Sequence, residues 1–349
     1  RRGETYPNRD GQVTGFNVFC PNQNHIGEKF MGSVDLPLEK LVDYKPDSTA
    51  KDDFEAFWCG NKAESRKVPL NATFDRIEGS LPNAEVYDAA FDGVDGVRVR
   101  GWFITPKNPK RPLPAVVQFI GYTGGRDYPH ALSAHVLNGF CAFIMDSRGQ
   151  GGGTGQVMST SHGAQRGFIT HGILDKDEYY YRNFYLDTIR AVQAVADRDE
   201  VDGSRIAAIG GSQGGALAIA CAALSEQVKA MAPDVPWLSH FRRAVDVAVG
   251  PYEEITDFLK KHPDQIEKAF DTLSYFDNMN LVEMVKVTHA YYSVGLWDDI
   301  CPPSTVYASY NRLPESIDKS IEVYPYNKHE GGHNLHQYRK LVWLREILG

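Results

Sequence analysis

Short apolar runs and longer amphipathic runs alternate along most of this chain. Residues 85–91 and 97–105 alternate apolar with polar positions and flank Asp92-Gly-Val-Asp-Gly96. That pattern predicts two antiparallel strands joined by a hairpin-type turn. Residues 114–120 and 140–145 are apolar at nearly every position, as expected for central parallel strands covered on both faces. Further strands are expected at 206–209, 229–232, 288–294 and 320–326. Helical periodicity separates the later strands, at 180–196, 213–224 and 303–312, and an amphipathic helix at 335–348 closes the chain. Phe54, Phe57 and Trp58 share helical spacing within 52–65 and predict an outer helix. An antiparallel start followed by alternating strand and helix predicts an α/β fold with a mostly parallel, doubly wound sheet.

Two stretches break the alternation. Residues 1–30 are polar, rich in Gly and Asn, and aperiodic. They read as an irregular N-terminal extension before a single domain at 31–349, with Met31-Gly32 as the expected start. Residues 234–284 are mainly helical between two strands and hold Trp237, His240, Phe241, Phe258, Phe270 and Phe276. An insertion on the C-terminal edge of such a sheet covers the active site, so this segment reads as a helical cap.

The chain has 349 residues and is 42% apolar, ample for a large core, and its net charge of -8 argues against nucleic acid held by phosphate contacts. No apolar run reaches the ~20 residues that span a bilayer, and Arg1-Arg-Gly-Glu-Thr-Tyr6 has no apolar signal core. Five scattered cysteines, Cys20, Cys59, Cys141, Cys221 and Cys301, predict free thiols in a reducing compartment. Cys141 and Cys221 lie in apolar stretches and read as core residues. No His/Glu/Asp cluster has metal-ligand spacing.

Chemistry enters at Gly210-Gly-Ser212-Gln-Gly214, between the apolar run at 206–209 and the helical run that follows. A strand that turns sharply into a helix lifts the central serine above the sheet and leaves room only for small neighbours. This is the nucleophile elbow of an α/β-hydrolase fold, and Ser212 is the candidate nucleophile. In that fold the order is nucleophile, acid, histidine. Six of the eleven histidines follow Ser212. His329 lies in the loop after the last strand. Its rival, His333, caps or starts the final helix, and His240 and His289 read as structural. The acid belongs after the penultimate strand, where Asp298 and Asp299 both fit and spacing does not choose. One oxyanion donor is the backbone N–H of Gln213, and the other comes from the loop Ile120-Gly-Tyr-Thr-Gly-Gly125, with Tyr122 as candidate. The Tyr122 side chain would also narrow the acyl pocket. The glycine-rich run at 149–155 lacks the Gly-Lys-Ser/Thr ending of a phosphate loop, and Arg148 and Asp146 beside it read as structural salt-bridge residues.

Arg148-Gly-Gln150, Gly210-Gly-Ser212-Gln-Gly214 and His329-Glu330 follow in that order, and together they resemble the acetyl xylan esterase and cephalosporin C deacetylase family, carbohydrate esterase family 7. The resemblance runs from about residue 35 to the C-terminus. It also takes in Leu36-Pro-Leu-Glu39, Gly121-Tyr122 through Arg126, His171-Gly-Ile-Leu-Asp175, Phe241-Arg-Arg-Ala244 and Trp297-Asp-Asp-Ile-Cys-Pro-Pro-Ser304. It implies Asp298 as the acid and supports Ser212, His329 and the two backbone donors. It implies a serine esterase that removes acetyl groups from acetylated xylo-oligosaccharides and cephalosporin C, with no metal or organic cofactor. It also implies a cytoplasmic homo-hexamer with its active sites facing an internal cavity. Two features depart from the family: residues 1–30, and the Gly- and Ser-rich stretch at 154–165 where the family carries a longer segment used in subunit contact. Trp237 and Phe241 are candidates for a sugar platform in the pocket. The alternatives are a prolyl oligopeptidase-type peptidase, for which too few residues precede the first strand to build a propeller, and a non-catalytic hydrolase-fold binding protein.

Overall fold

The computed structural model describes residues 34–162 and 166–349, together with the backbone of two short strands ahead of them. Those strands, β1 (Thr5–Pro7) and β2 (Val13–Gly15), pair antiparallel. The rest of the expected extension at 1–30 lies outside the described residues, as do the last three residues of the stretch at 154–165. Residues 1–33 and 34–349 form two compact units, and every further element belongs to the second. None of its helices is long and apolar enough to cross a membrane.

Its strands are β3 (Thr73–Arg76), β4 (Ala84–Asp92), β5 (Arg98–Pro106), β6 (Leu113–Phe119), β7 (Cys141–Met145), β8 (Val201–Gly211), β9 (Val228–Asp234), β10 (His289–Gly295) and β11 (Asp318–Tyr324). Its helices are α1 (Leu38–Leu41), α2 (Phe54–Lys67), α3 (Ser133–Leu137), α4 (Tyr180–Ala196), α5 (Gln213–Leu224), α6 (Phe241–Val247), α7 (Glu253–Lys261), α8 (Ile266–Ser274), α9 (Asn278–Leu281), α10 (Pro303–Tyr310) and α11 (His333–Leu348). The strands form one nine-stranded sheet in the order β11-β10-β9-β8-β6-β7-β5-β4-β3. Pairing is antiparallel from β3 to β4, β5 and β7, and parallel from β7 through β11. This is the α/β architecture expected from the alternation of strand and helix. Strand β3 was not foreseen, because Thr-Phe-Asp-Arg has one apolar residue and sits at the exposed sheet edge.

The solid apolar runs are explained by the two faces they serve. Ala115, Val117 and Phe119 of β6 turn into the larger core with α2, α4 and α5, whereas Val116 turns to the other face with Leu344 and Leu348 of α11. Strand β8 divides the same way: Ile206 and Ala208 face one core, Ala207 and Ile209 the other. A fully buried Leu or Ile contributes about 1.5–3 kcal/mol, so helices on both sides stabilise these strands twice over. Helix α5 is buried along its whole length. It lies on β8 and β9 with α4 and α9 packed on it, which leaves it no polar face. Cys141 and Cys221 are buried free thiols in this core.

Four helices, α6 to α9, occupy the segment between β9 and β10 that breaks the alternation. Asp277 organises it. Its buried carboxylate accepts the N–H groups of His240 and Phe241 at the start of α6, at 2.7 and 2.9 Å, and of Met279 in α9 at 2.9 Å.

Candidate active site

Strand β8 ends at Gly211 and α5 begins at Gln213, so Ser212 alone makes the turn. Its backbone has φ 57° and ψ -121°, a conformation that costs a non-glycine residue about 1–3 kcal/mol. Three hydrogen bonds hold it there. The Ser212 N–H donates to the Asp234 carbonyl at 2.9 Å, and the Ser212 carbonyl accepts from the Ala216 and Trp237 N–H groups at 3.0 Å each. A Cβ on Gly214 would stand 2.3 Å from the Phe119 carbonyl oxygen, and one on Gly210 would stand 2.4 Å from the Gly214 carbonyl carbon. The Gly-x-Ser-x-Gly spacing is therefore a packing requirement of the turn.

The loops after β10 and β11 carry the candidate acid and base. They are tied together by backbone bonds from Leu296 to Tyr324 at 3.1 Å and from Trp297 to Asn327 at 3.0 Å. Asp298 is fully buried. Its Oδ1 accepts the Ile300 and Cys301 N–H groups at 2.9 and 2.8 Å, and its Oδ2 lies 2.9 Å from His329 Nδ1. A carboxylate there keeps the proton on Nδ1 and presents Nε2 as a base. Asp299 points its role elsewhere, offering its backbone carbonyl to the Val249 N–H. His333 is exposed and opens α11, as its position in the sequence suggested.

Ser212 and His329 share the wall of a cavity of about 900 Å³. Gly121, Tyr122 and Thr123 form a second side, and Glu254 on α7 a third. Among the described residues, neither the Tyr122 nor the Gln213 backbone N–H has an acceptor within the protein. Two free N–H groups beside a strained serine are what an oxyanion requires. The Tyr122 ring is fixed: its hydroxyl donates to Glu254 Oε2 at 2.7 Å, accepts the Phe168 N–H at 2.7 Å, and the ring packs 4.8 Å from Trp237. Burial raises the Glu254 carboxyl above its ordinary value, although the Tyr122 hydroxyl pulls it back.

Trp237 and Phe241 are not at the cavity surface. They are 1% and 2% exposed; Trp237 touches the site through its backbone N–H on the Ser212 carbonyl and through its ring on Tyr122. Aromatic side chains on the inner face of the helical segment serve its packing, which removes them as a sugar platform.

Asp298, Cys301 and His329 bring one donor atom each within 4.8 Å of one another. Tetrahedral coordination with bonds near 2.0–2.1 Å would hold neighbouring ligand atoms roughly 3.3 Å apart. The 2.9 Å Asp298–His329 contact is shorter and fits a direct hydrogen bond. Burial pushes the Cys301 thiol well above its ordinary value, and Asp298 adds to the effect. The thiol beside Ser212 therefore stays protonated and does not compete as a nucleophile.

The glycine-rich turn after β7 also closes on an anion, but an internal one. The N–H groups of Arg126, Gly153 and Thr154 point at the buried Asp146 carboxylate, at 3.1, 2.6 and 2.9 Å. Arg148 pairs instead with Asp187 at 2.6 Å and Asp95 at 2.6 Å. Both residues have structural roles, with partners that sequence reading did not identify.

Comparison with known proteins places the chain in a family. The model of the acetyl xylan esterase (AXE1) family matches residues 31–347. An acetyl xylan esterase from Paenibacillus sp. R4 is 40% identical, with a TM-score of 0.86 over 89% of this chain and 99% of its own. Acetyl xylan esterase 1 from Thermoanaerobacterium sp. JW/SL YS485 is 33% identical, with a TM-score of 0.84 over 90% of this chain and 100% of its own. The acetyl esterase Axe7A of Xylanibacter ruminicola is 26% identical over 310 residues, 86% of this chain and 68% of that protein. At 18% identity and a TM-score of 0.53, the α/β hydrolase GrgF from Penicillium sp. sh18 covers 77% of this chain and 99% of its own, and shares the fold alone.

Proposed function

The chain belongs to the acetyl xylan esterase family, and from that premise we propose that it deacetylates small esters through an acetyl-enzyme on Ser212. The observation that carries this reading is the shared cavity wall of Ser212 and His329, with His329 Nδ1 held by a buried carboxylate.

His329 Nε2 takes the Ser212 proton as the hydroxyl oxygen attacks the acetyl carbonyl. Asp298 keeps the other imidazole proton on Nδ1 and stabilises the cation that forms. The developing oxyanion accepts the Tyr122 and Gln213 N–H groups. As the tetrahedral intermediate collapses, the C–O bond to the alcohol breaks and His329 returns its proton to the leaving oxygen. Water, deprotonated by His329, then attacks the acetyl carbonyl; the bond from the acyl carbon to Ser212 Oγ breaks, His329 passes its proton to Oγ, and acetate leaves. The ester is an acetylated xylo-oligosaccharide or cephalosporin C, whose alcohol half leaves as the free sugar hydroxyl or the deacetylated cephalosporin, and the fixed Tyr122 ring restricts the acyl half to acetyl.

Turnover of 4-nitrophenyl acetate by the purified protein tests the reading, beside a panel of acetylated xylo-oligosaccharides and cephalosporin C. Ser212→Ala is expected to abolish release of 4-nitrophenol. Turnover by that variant at the parental rate rules the mechanism out.

A further inference from the structure

Gln150 lies in the turn after β7, outside the triad and the oxyanion donors, yet its side chain touches both sides of the oxyanion site. Its Oε1 accepts the Thr123 N–H at 2.7 Å and the Gln213 Nε2–H at 3.1 Å. Its Nε2 donates to Gln213 Oε1 at 2.9 Å and to the Tyr180 hydroxyl at 3.0 Å. The Gln213 amide is equally committed. Its Nε2 also donates to the Ile120 carbonyl at 3.2 Å, and its Oε1 also accepts from the Tyr181 hydroxyl at 2.8 Å.

The two amides thus form a reciprocal pair, each donating to and accepting from the other. An amide has two N–H donors and two lone pairs, and all eight functions of this pair are used. The pair also reaches both flanks of Tyr122, through the Ile120 carbonyl on one side and the Thr123 N–H on the other. Gln213 carries the second oxyanion N–H in its own backbone. The pair therefore spans the gap between the two donors and sets their separation.

No other side chain satisfies this pattern. Glu at either position turns an N–H into a lone pair and sets oxygen against oxygen. Met or Leu leaves one N–H and one lone pair of the partner amide without a partner, and Gln213 has no exposure to water. Tyr180 and Tyr181 complete the frame from the first turn of α4, both buried, and the Tyr180 hydroxyl also donates to the Arg148 carbonyl at 2.6 Å.

We infer that Gln150 is a positioning residue for the acetyl transfer, acting with the Gln213 side chain to hold the Tyr122 and Gln213 N–H groups at the spacing an oxyanion needs. This rests on the Ser212 mechanism proposed above. A transition-state charge is stabilised only where donors are already in place, so loosening the pair lowers kcat and leaves ground-state binding largely intact.

The test compares wild type with Gln150→Met, Gln213→Met and the double variant, using steady-state kinetics on 4-nitrophenyl acetate. Inhibition by phenylboronic acid, whose serine adduct mimics the tetrahedral oxyanion, is measured on the same proteins. Removing an oxyanion donor outright costs about 10²–10³ in rate, and a misplaced pair of donors should cost roughly 10–100-fold in kcat. KM is expected to stay within about threefold and boronate affinity to fall in step with kcat. The double variant should lose about as much as either single one, because the amides work as a unit. Thermal melts accompany each variant, and Gln150→Glu, which retains the acceptor for Thr123, serves as a second substitution at the less buried position. Wild-type kcat in Gln150→Met and Gln150→Glu overturns the inference while leaving the Ser212 mechanism standing. Losses in kcat that simply add, with boronate affinity unchanged, overturn it as well. A wild-type protein that neither hydrolyses the ester nor binds the boronate removes both.

Discussion

Asp298 and His329 meet through one 2.9 Å contact between Oδ2 and Nδ1, while the other oxygen of that carboxylate is already taken by the Ile300 and Cys301 N–H groups. This division of labour makes Asn a sharp probe. In Asp298→Asn the carbonyl oxygen keeps the two backbone donors, so the amide NH₂ faces Nδ1. Nδ1 must then accept, the ring proton moves to Nε2, and the base is blocked. The fold is expected to survive and kcat to fall by about 10³–10⁴. Asp299→Asn should stay within about twofold of wild type, since an exchange away from hydrogen-bonded charge costs little. Parallel kcat measurements on the two variants check this, and equal losses would reassign the acid.

The Tyr122 ring is tied at its hydroxyl to Glu254 and Phe168 and packed on Trp237. A wall held at three points cannot move aside for a longer acyl chain. Tyr122→Ala keeps the backbone N–H and removes the wall. The ratio of butyryl to acetyl turnover, taken from kcat/KM on the 4-nitrophenyl esters, should rise at least tenfold, about what one or two methylenes are worth in a closed pocket. An unchanged ratio means the acyl group lies elsewhere.

What the chain discloses by pattern is what local physics determines. Strands β6 and β7 were legible because cover on both faces makes them apolar at nearly every position. The Ser212 turn was legible because its glycines answer a local crowding. Strand β3 was not, because an exposed edge needs few apolar residues. The choice between Asp298 and Asp299 depends on how the chain leaves β10, which adjacent identical residues do not encode. Trp237 and Phe241 were misplaced because aromatic content does not say which face of a helical segment is inward. The Gln150–Gln213 pair joins residues 63 positions apart, and no periodicity announces such a contact.

Asp277 carries a buried carboxylate bonded to three backbone N–H groups. Burial raises its carboxyl to about 6, with those bonds opposing the rise. A raised acid favours folding in its protonated form. Its contribution is fully present below the ordinary carboxyl range and is lost as pH climbs through about 6. Asp277→Asn is neutral at every pH. The difference in unfolding free energy between variant and wild type should therefore move in the variant's favour between pH 4 and pH 7, by on the order of 2 kcal/mol. Urea melts at the two pH values measure it, and a difference that stays constant with pH would show that Asp277 does not titrate in this window.

The Asp234 carbonyl anchors the Ser212 N–H, and its side chain is itself anchored by α11. His336 Nε2 lies 2.8 Å from Oδ1, Gln337 donates to Oδ2 at 3.1 Å, and the Lys340 ammonium bonds the same oxygen. Burial alone would raise this carboxyl, but Lys340 and His336 together hold it at about 2. A lowered acid works in the opposite sense to Asp277: its stabilisation is present above about pH 4 and is lost as pH falls through about 2. Lys340→Met strands a buried negative charge and should cost about 3–5 kcal/mol at pH 7. Adding Asp234→Asn removes the charge and should recover most of that loss, because a buried pair is dearest when only one member remains. The single variant should also gain relative to wild type as pH is lowered from 7 to 4, since its unpaired Asp234 then protonates. Urea melts of the three proteins across that range decide the matter. A Lys340→Met protein as stable as wild type at pH 7, or a double variant no better than the single, would falsify the ion pair as the anchor of the strand that holds the serine.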